Sequence, residues 1–570
     1  MERKQLFGRI NESQALFALL VILAITAWFA RHWLNSGFGL YEDDLTFIPG
    51  AIEADFGTIL NMIAGYFSTL ADQGRPLMWS WVVLFGHIGW NLGGLQGIYI
   101  LAYLVWLLNI VLFVLLLRRI HPSFLFWSLG GFAYVLFSAD TNQAFLFNAF
   151  GLQTAITFLL IGLHVYLIGG KWRWLSYGFL LLVFLNYETP YWLFISAPLL
   201  TGLEGKPFKK RLLENTLVII FIFLVVFGLR YLAGEARVAE LGFPDMLVTP
   251  VKHMAIGPFV SLGAYLLRPL LVLQTLSPTL ILIGLVGSGL IFTIFYLVFR
   301  QEKVQHAQFF PLKRGWWSQL DPVLQRNLRL MIAGLLMVTF AYPLTFILRP
   351  YAISGRETRV HLAGVVGSAI VLASFVMLLI HIFRSQHLRI GFLALVGLVL
   401  GFNLSFGFII QRAYVRAWDL QKSFWRELLP LISDVEEGSA VLVEPTGLED
   451  VLYINANTWV LPRMLPRLYH LPEEWERDPS VFRLAKFWEE NIVRIPGYFS
   501  IDGTNSFAHL VTFGDYRHDK SIFIGTEGGS LERQSQMVFM DEIIHLKPVG
   551  EDILSTLETR PLYDLMILAD

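Results

Sequence analysis

The sequence predicts an all-α polytopic membrane domain of about eleven transmembrane helices, followed by a small extracytoplasmic α/β domain. Three observations predict it. The 570 residues are 55% hydrophobic and 15% charged, with a mean hydropathy of +0.58, outside the range of water-soluble domains. Apolar runs of roughly 20 residues recur along the first two thirds of the chain, the length of helix that spans hydrocarbon. From Arg412 onward the composition turns polar and short strand-like runs replace the long apolar ones.

Taken in order, the spans are expected near 15–35, 97–117, 124–138, 146–168, 174–186, 190–202, 212–232, 277–299, 330–348, 363–383 and 390–410. The first follows Arg3, Lys4 and Arg9 in the manner of a signal peptide. It lacks a small-residue cleavage site, so it reads as a retained helix. Short basic loops at Arg118-Arg119, Lys171 to Arg173, Lys206 to Arg211, Arg300 to Arg329 and Arg384 to Arg389 belong on the cytoplasmic side. That assignment puts the N-terminus inside and requires Pro76 to Trp90 to lie along the outer face as an interfacial helix. It also makes 174–200 a hairpin whose turn, Asn186 to Pro190, faces outward. An odd number of spans then places residues 412–570 outside as a separate α/β domain, after a membrane domain of residues 1–411. Its strands are expected at Ala440–Glu444, Phe507–Phe513, Ser521–Gly525 and Met537–Ile543.

Composition excludes several classes. Net charge is −1 and no basic stretch alternates with aromatics, so nothing marks a nucleic-acid surface. With no cysteine, disulfides, thiolate metal sites and cysteine nucleophiles are absent. No internal repeat or low-complexity stretch is visible, although many secondary transporters carry a repeat.

The informative charges are those on the expected outer face. Between 348 and 363 stands a translocated loop with Arg349, Tyr351, Arg356, Glu357, Arg359 and His361. Its guanidinium groups suit either lipid phosphates at the interface or a bound phosphate or pyrophosphate, whose oxygens match the arginine fork. After the first span comes Tyr41-Glu42-Asp43-Asp44. Consecutive carboxylates repel one another, so an enclosed site would raise at least one pKa and create a proton acceptor. A solvated acidic turn and, less favoured, a divalent-cation site remain the alternatives. Arg75 precedes Pro76 at a predicted helix start, and Glu188 sits at the hairpin tip as a functional residue or as the partner of an outer arginine. His87, His164 and His381 lack ligand spacing and read as structural.

One base and several cations match the displacement of a lipid-linked phosphate from an anomeric carbon. Phosphate leaves as a stabilised anion and, unlike the leaving group of a glycosidase, needs no general acid. The three motifs Tyr41-Glu42-Asp43-Asp44, Gly74-Arg75-Pro76-Leu77 and Asn186-Tyr187-Glu188-Thr189 resemble those of the GT-C glycosyltransferase superfamily. The nearest likeness is to bacterial relatives of protein mannosyltransferases, aminoarabinose transferases and O-antigen glucosyltransferases, over residues 5–411. The resemblance implies an inverting transferase of the bacterial plasma membrane that moves a sugar from polyprenyl phosphate to a lipid, glycan or protein hydroxyl; no cofactor is expected, a divalent metal ion being the less favoured alternative. It implies Asp43 as general base, Asp44 as the group orienting acceptor or sugar, and Arg75, Arg349, Arg356 and Arg359 around the donor phosphate. Glu42, Tyr351, Glu188 and His361 support them; where the family's hairpin has Lys, this chain has Tyr187. The competing classes are a transporter or flippase for a lipid-linked sugar, an O-antigen ligase or polymerase, and an assembly subunit.

Overall fold

The computed structural model describes residues 11–68, 74–137, 145–232, 243–302, 320–345, 350–353, 356–444, 461–483, 492–495, 498–501, 514–527, 530–539 and 542–568. They fall into two compact units: one of residues 1–35, 61–85 and 96–412, the other of residues 36–60, 86–95 and 413–570.

The first unit is helical. Among the described residues eight helices are long and apolar enough to cross a membrane, which marks an integral membrane protein. Helix α1 (Glu12–Arg31) starts at a capping box in which Asn11 and Gln14 satisfy each other's backbone N–H groups. At its other end the Arg31 guanidinium lies 3.6 Å from the centre of the Trp106 ring. Helix α2 (Asp44–Glu53) and the first residues of α3 (Phe56–Ser68) belong to the second unit and lead in sequence to α4 (Pro76–Ile120), which is broken at Gly93 and at Gly94, whose φ is +59°. The expected division into 76–90 and 97–117 corresponds to two helical segments that meet at a kink at Gly93 and Gly94.

Several expected spans turn out short. Helix α5 (Phe124–Leu136) has 13 residues, roughly 20 Å of rise against the ~30 Å of a bilayer core. Helix α6 (Leu146–Ile168) is full length, whereas α7 (Trp172–Asn186) is followed only by a 3₁₀ turn, Tyr191–Ser196, and the single turn α8 (Ala197–Leu200). The 174–200 hairpin is therefore one helix plus a tight, partly 3₁₀ return. After α9 (Gly205–Leu232) comes α10 (Phe243–Gln274), a helix that apolar runs alone do not reveal. Pro250, Pro258 and Pro269 lie inside it, with Lys252, His253 and Arg268, and all of these disguise a membrane-length segment.

Helix α11 (Pro278–Glu302) matches the 277–299 expectation. Helix α12 (Pro322–Thr339) begins eight residues before the expected 330 and stops at a turn well short of 348. It packs against α13 (Gly364–Ile382) through Gly334 and Gly367. A Cβ on Gly367 would stand 2.6 Å from the Gly334 carbonyl oxygen, so small residues let the two backbones touch. Helix α14 (Gln386–Leu431) runs 46 residues, past the polar switch at Arg412.

The second unit holds the strands. Its four-stranded sheet has the order β2 (Ser480–Arg483), β1 (Ala440–Val443), β6 (Ile522–Glu527), β7 (Ser530–Gln534), with β1 parallel to both neighbours and β6–β7 antiparallel. Every residue of β1 is buried, as expected of a parallel strand covered on both faces. Antiparallel β3 (Ile492–Ile495), β4 (Tyr498–Ile501) and β5 (Gly514–Arg517) form a second sheet. The expected strand 537–543 is instead a hairpin of β8 (Gln536–Phe539) and β9 (Glu542–His545), while 507–513 lies outside the described residues. A buried ion-pair network closes the sheet: Arg533 donates twice to Asp434, at 2.5 and 3.1 Å, and Gly550 N–H donates to the same carboxylate at 2.8 Å.

Candidate functional site

The acidic segment belongs to the second unit, where it is a built turn. Tyr41 is fully buried; its hydroxyl donates to the Tyr414 carbonyl and accepts the Gly39 N–H, both at 2.9 Å. Burial, reinforced by the Asp44 charge, pushes its phenol well above the ordinary range. A Cβ on Gly39 would fall 1.8 Å from the Trp418 ring, so only glycine allows that approach. Glu42 then adopts φ +45°, a left-handed backbone that non-glycine residues enter at a cost of order 1 kcal/mol or more. From there the chain enters α2 with backbone bonds from Asp44 to Tyr41, Leu45 to Glu42 and Thr46 to Asp43.

The three carboxylates are not equivalent. Asp44 is wholly buried, with Oδ2 3.4 Å from the Tyr41 N–H, and Glu42 is 3% exposed. Asp43, at the N-cap, is half-buried and makes no capping bond. A fully solvated acidic turn is therefore not what forms; two carboxylates are enclosed and the third stays accessible. Among the described residues no group of three or more His, Asp or Glu could hold a metal ion, this one included.

Arg75 and Glu188 belong to the first unit and meet there. Arg75 Nε donates to Glu188 Oε2 at 2.8 Å and an Nη to Oε1 at 2.5 Å, a bidentate pair with 12% and 1% exposure. The Tyr187 ring, 4.0 Å from the guanidinium carbon, stacks on it. Tyr187 thus contributes a face for a cation supplied from 112 residues upstream. Asn186 anchors the turn through bonds to the Gly151 carbonyl and the Thr154 hydroxyl.

A second guanidinium, missing from the sequence-derived set, completes this cluster. Arg230, near the end of α9, stands 4.0 Å from Glu188 Oε2 and is 5% exposed. The available signal was an arginine closing an apolar run. Gly74 makes room for it: φ is +63°, and a Cβ there would sit 2.3 Å from Arg230 Nε. The Gly-Arg-Pro motif accordingly has a local explanation: glycine for the approach of Arg230, arginine for Glu188, proline for the first turn of α4. Of the two sequence alternatives for Glu188, the structure realises the arginine partner.

In the late loop, Arg349 and the side chain of Arg356 lie outside the described residues. The 3₁₀ turn Arg356–His361 carries a half-buried Arg359 and a buried His361. His361 Nε2 donates to the Ala352 carbonyl at 3.0 Å, which leaves Nδ1 to accept the Tyr342 hydroxyl at 2.8 Å. Burial lowers its pKa to about 4, outweighing the Ala352 bond that favours the cation. At neutral pH it is an uncharged, fully satisfied imidazole that shapes the loop and brings no positive charge to a phosphate. Tyr351 is exposed, with the Lys252 ammonium 5.9 Å from its ring centre.

Asp43 and Asp44 thus fall in one unit, and Arg75, Glu188, Arg359 and His361 in the other. Compared with protein-family models, curated proteins and solved structures, the chain gives no match.

Proposed function

We propose that the protein is an inverting glycosyltransferase of the bacterial plasma membrane, with its N-terminus cytoplasmic and residues 412–570 extracytoplasmic. It takes a sugar from a polyprenyl-phosphate donor and passes it to a hydroxyl of a lipid, glycan or protein. One observation carries the proposal: the acidic turn buries Glu42 and Asp44, holds a strained backbone at Glu42, and leaves Asp43 as the accessible carboxylate. Backbone strain kept beside a partly exposed carboxylate is the pattern of a functional site.

In this mechanism Asp43 accepts the proton of the acceptor hydroxyl as its oxygen attacks the anomeric carbon from the face opposite the phosphate. The bond from that carbon to the phosphate oxygen breaks, its electron pair leaves with polyprenyl phosphate, and the configuration inverts. Asp44, bonded to the Tyr41 backbone, positions the turn. Arg349, Arg356 and Arg359 are proposed as the donor-phosphate cations. Arg75, held by Glu188, is proposed to stand near that phosphate. The step needs no metal ion, because the leaving group is already a stable anion.

Asp43→Asn tests the base. A general base contributes about 10²- to 10⁴-fold, so transfer of radiolabelled sugar in reconstituted vesicles should fall by at least about two orders of magnitude with an unchanged melting profile. Transfer within threefold of wild type would remove Asp43 from the mechanism.

One observation favours a second reading, movement of a lipid-linked sugar across the bilayer. Arg75, Glu188 and Arg230 are charged and buried in the helical unit, where ionisable groups tend to mark a path. A carrier would keep its donor flux in Asp43→Asn vesicles that transfer no sugar.

A further inference from the structure

His121, Arg326 and Arg329 gather at the end of the helical unit where α1 begins, and no part of the proposed reaction uses them. That end is marked by the ion pair of Arg118 with Glu12, the first residue of α1. It is marked again by Glu302, whose carboxylate accepts the Ser123 hydroxyl at 2.6 Å and the Leu125 N–H at 2.9 Å. Between Arg118 and Ser123 in sequence, His121 caps the end of α4.

The His121 ring is clamped. It stacks on Phe126 with ring centres 4.3 Å apart, and the His121 carbonyl accepts the Trp127 indole N–H at 2.7 Å. Nδ1 accepts the Ser123 N–H at 3.1 Å, so in the neutral imidazole the proton sits on Nε2. Burial, followed by the charges of Arg326 and His381, lowers the pKa to about 3 and keeps the ring neutral at physiological pH. Nε2 is buried and has no hydrogen-bond partner among the described residues.

Arg326, whose charge acts on His121, lies in the second turn of α12, and Arg329 follows three residues later on the same side of the helix. A Cβ on Gly202 would stand 3.3 Å from Arg329 Nη2, so this guanidinium rests against the glycine turn that follows α8. Its Nε is also buried without a hydrogen-bond partner among the described residues. Burial and the Arg326 charge outweigh the favourable charge of Glu204 and lower the Arg329 pKa. Among the described residues neither arginine has a carboxylate within 4.0 Å, in contrast to Arg118 with Glu12 and Arg173 with Glu214. Glu302 is taken up by the first turn of α5, and Asp321 caps α12 through Val323 N–H.

Two enclosed N–H donors and two like charges side by side are each unfavourable, and one oxyanion among them would accept the hydrogens and offset the repulsion. Phosphate has oxygens enough for two guanidinium forks and an imidazole. The neighbouring surface points to the carrier of that phosphate. Ile332 and Leu335, about one and two turns beyond Arg329 on α12, are exposed apolar side chains against which acyl chains can lie. We propose that Arg326, Arg329 and His121 bind the headgroup phosphate of an anionic membrane lipid, as basic pockets between membrane helices do. The binding rests on no step of the proposed transfer; the orientation proposed above would put this lipid in the cytoplasmic leaflet.

The test uses the full chain in dodecylmaltoside micelles supplemented with phosphatidylglycerol or phosphatidylcholine. A ligand of the folded state raises the melting temperature, so wild type should melt higher with phosphatidylglycerol than with phosphatidylcholine. In native mass spectrometry, wild type should retain phosphatidylglycerol at least about tenfold more tightly than Arg326→Gln/Arg329→Gln. His121→Asn keeps an acceptor for the Ser123 N–H but loses the Nε2 donor, and should weaken retention by about threefold or more. That variant leaves both arginines in place and decides the case if the double variant does not fold. Arg300→Gln/Arg384→Gln removes the same charge from exposed positions at the same end and should retain the lipid as wild type does. Retention unchanged in Arg326→Gln/Arg329→Gln or in His121→Asn, or an equal loss in the exposed control, would overturn the proposal. A melting shift of the same size from inorganic phosphate would do so too, since the ligand would then be a free anion.

Discussion

Glu188 holds the Arg75 fork directly and faces Arg230 across 4.0 Å, all three side chains being nearly inaccessible. Removing its carboxylate would leave two buried guanidinium groups close together, and breaking a buried pair costs about 3–5 kcal/mol. Glu188→Ala should therefore lower the melting temperature of the detergent-solubilised protein sharply. Arg75→Ala/Glu188→Ala should recover part of that loss, because contacting residues are not additive. A single variant that melts like wild type would show the pair to be energetically idle. Both residues stand out in the sequence, each for its own reason, yet their pairing does not. Contacts between residues 113 positions apart leave no mark on local composition. His361 shows the same limit: the sequence places a histidine among arginines, and only its burial makes it neutral, while its bonds to Tyr342 and Ala352 fix which nitrogen carries the proton.

Helices in this chain are decided by small residues as much as by apolar length. Gly334 and Gly367 let α12 and α13 approach until a Cβ on Gly367 would lie 2.6 Å from the Gly334 oxygen and 2.7 Å from Met337 Cβ. Overpacking of this kind costs about 1–3 kcal/mol, so Gly367→Ala should lower the melting temperature. Gly391→Ala, in open space on a helix, should leave it unchanged or slightly raised. Equal melting of the two variants would deny the close contact. Long, largely apolar runs such as 146–168 are legible because the faces buried in the protein and those left to the membrane are both mostly apolar. Helix α10 was not, since three prolines and three basic side chains break the run while packing against neighbouring helices tolerates them. Helix α12 begins earlier than its apolar run because Asp321 caps it through Val323 N–H at 2.8 Å.

For the molecule as a whole, acid should weaken the strand-bearing unit. Burial alone would raise the Asp434 carboxyl, but the hydrogen bonds from Arg533 and Gly550 and the charges of Arg533 and Lys547 hold it below its ordinary 3.8. A depressed carboxylate stabilises the fold at pH above its unfolded value, and that contribution is lost as pH falls through the lower folded value. Melting monitored by near-ultraviolet circular dichroism should show wild type losing stability below about pH 4. Asp434→Asn should start lower at neutral pH and change less over the acid range; a parallel acid response would remove Asp434 as its source. By itself the sequence determined that this is a helical membrane protein with a polar, strand-bearing C-terminal part, because hydropathy and periodicity are local sums that hydrocarbon and water read directly. It also marked Asp43, Arg75 and Glu188 as unusual, since charges beside apolar spans are costly wherever they fold. Only the tertiary structure decided which carboxylates are enclosed, which cation Glu188 holds, and that His121 and Arg329 each bury an N–H without a partner among the described residues. Burial and pairing depend on backbones brought together from distant parts of the chain, and no window of sequence contains them.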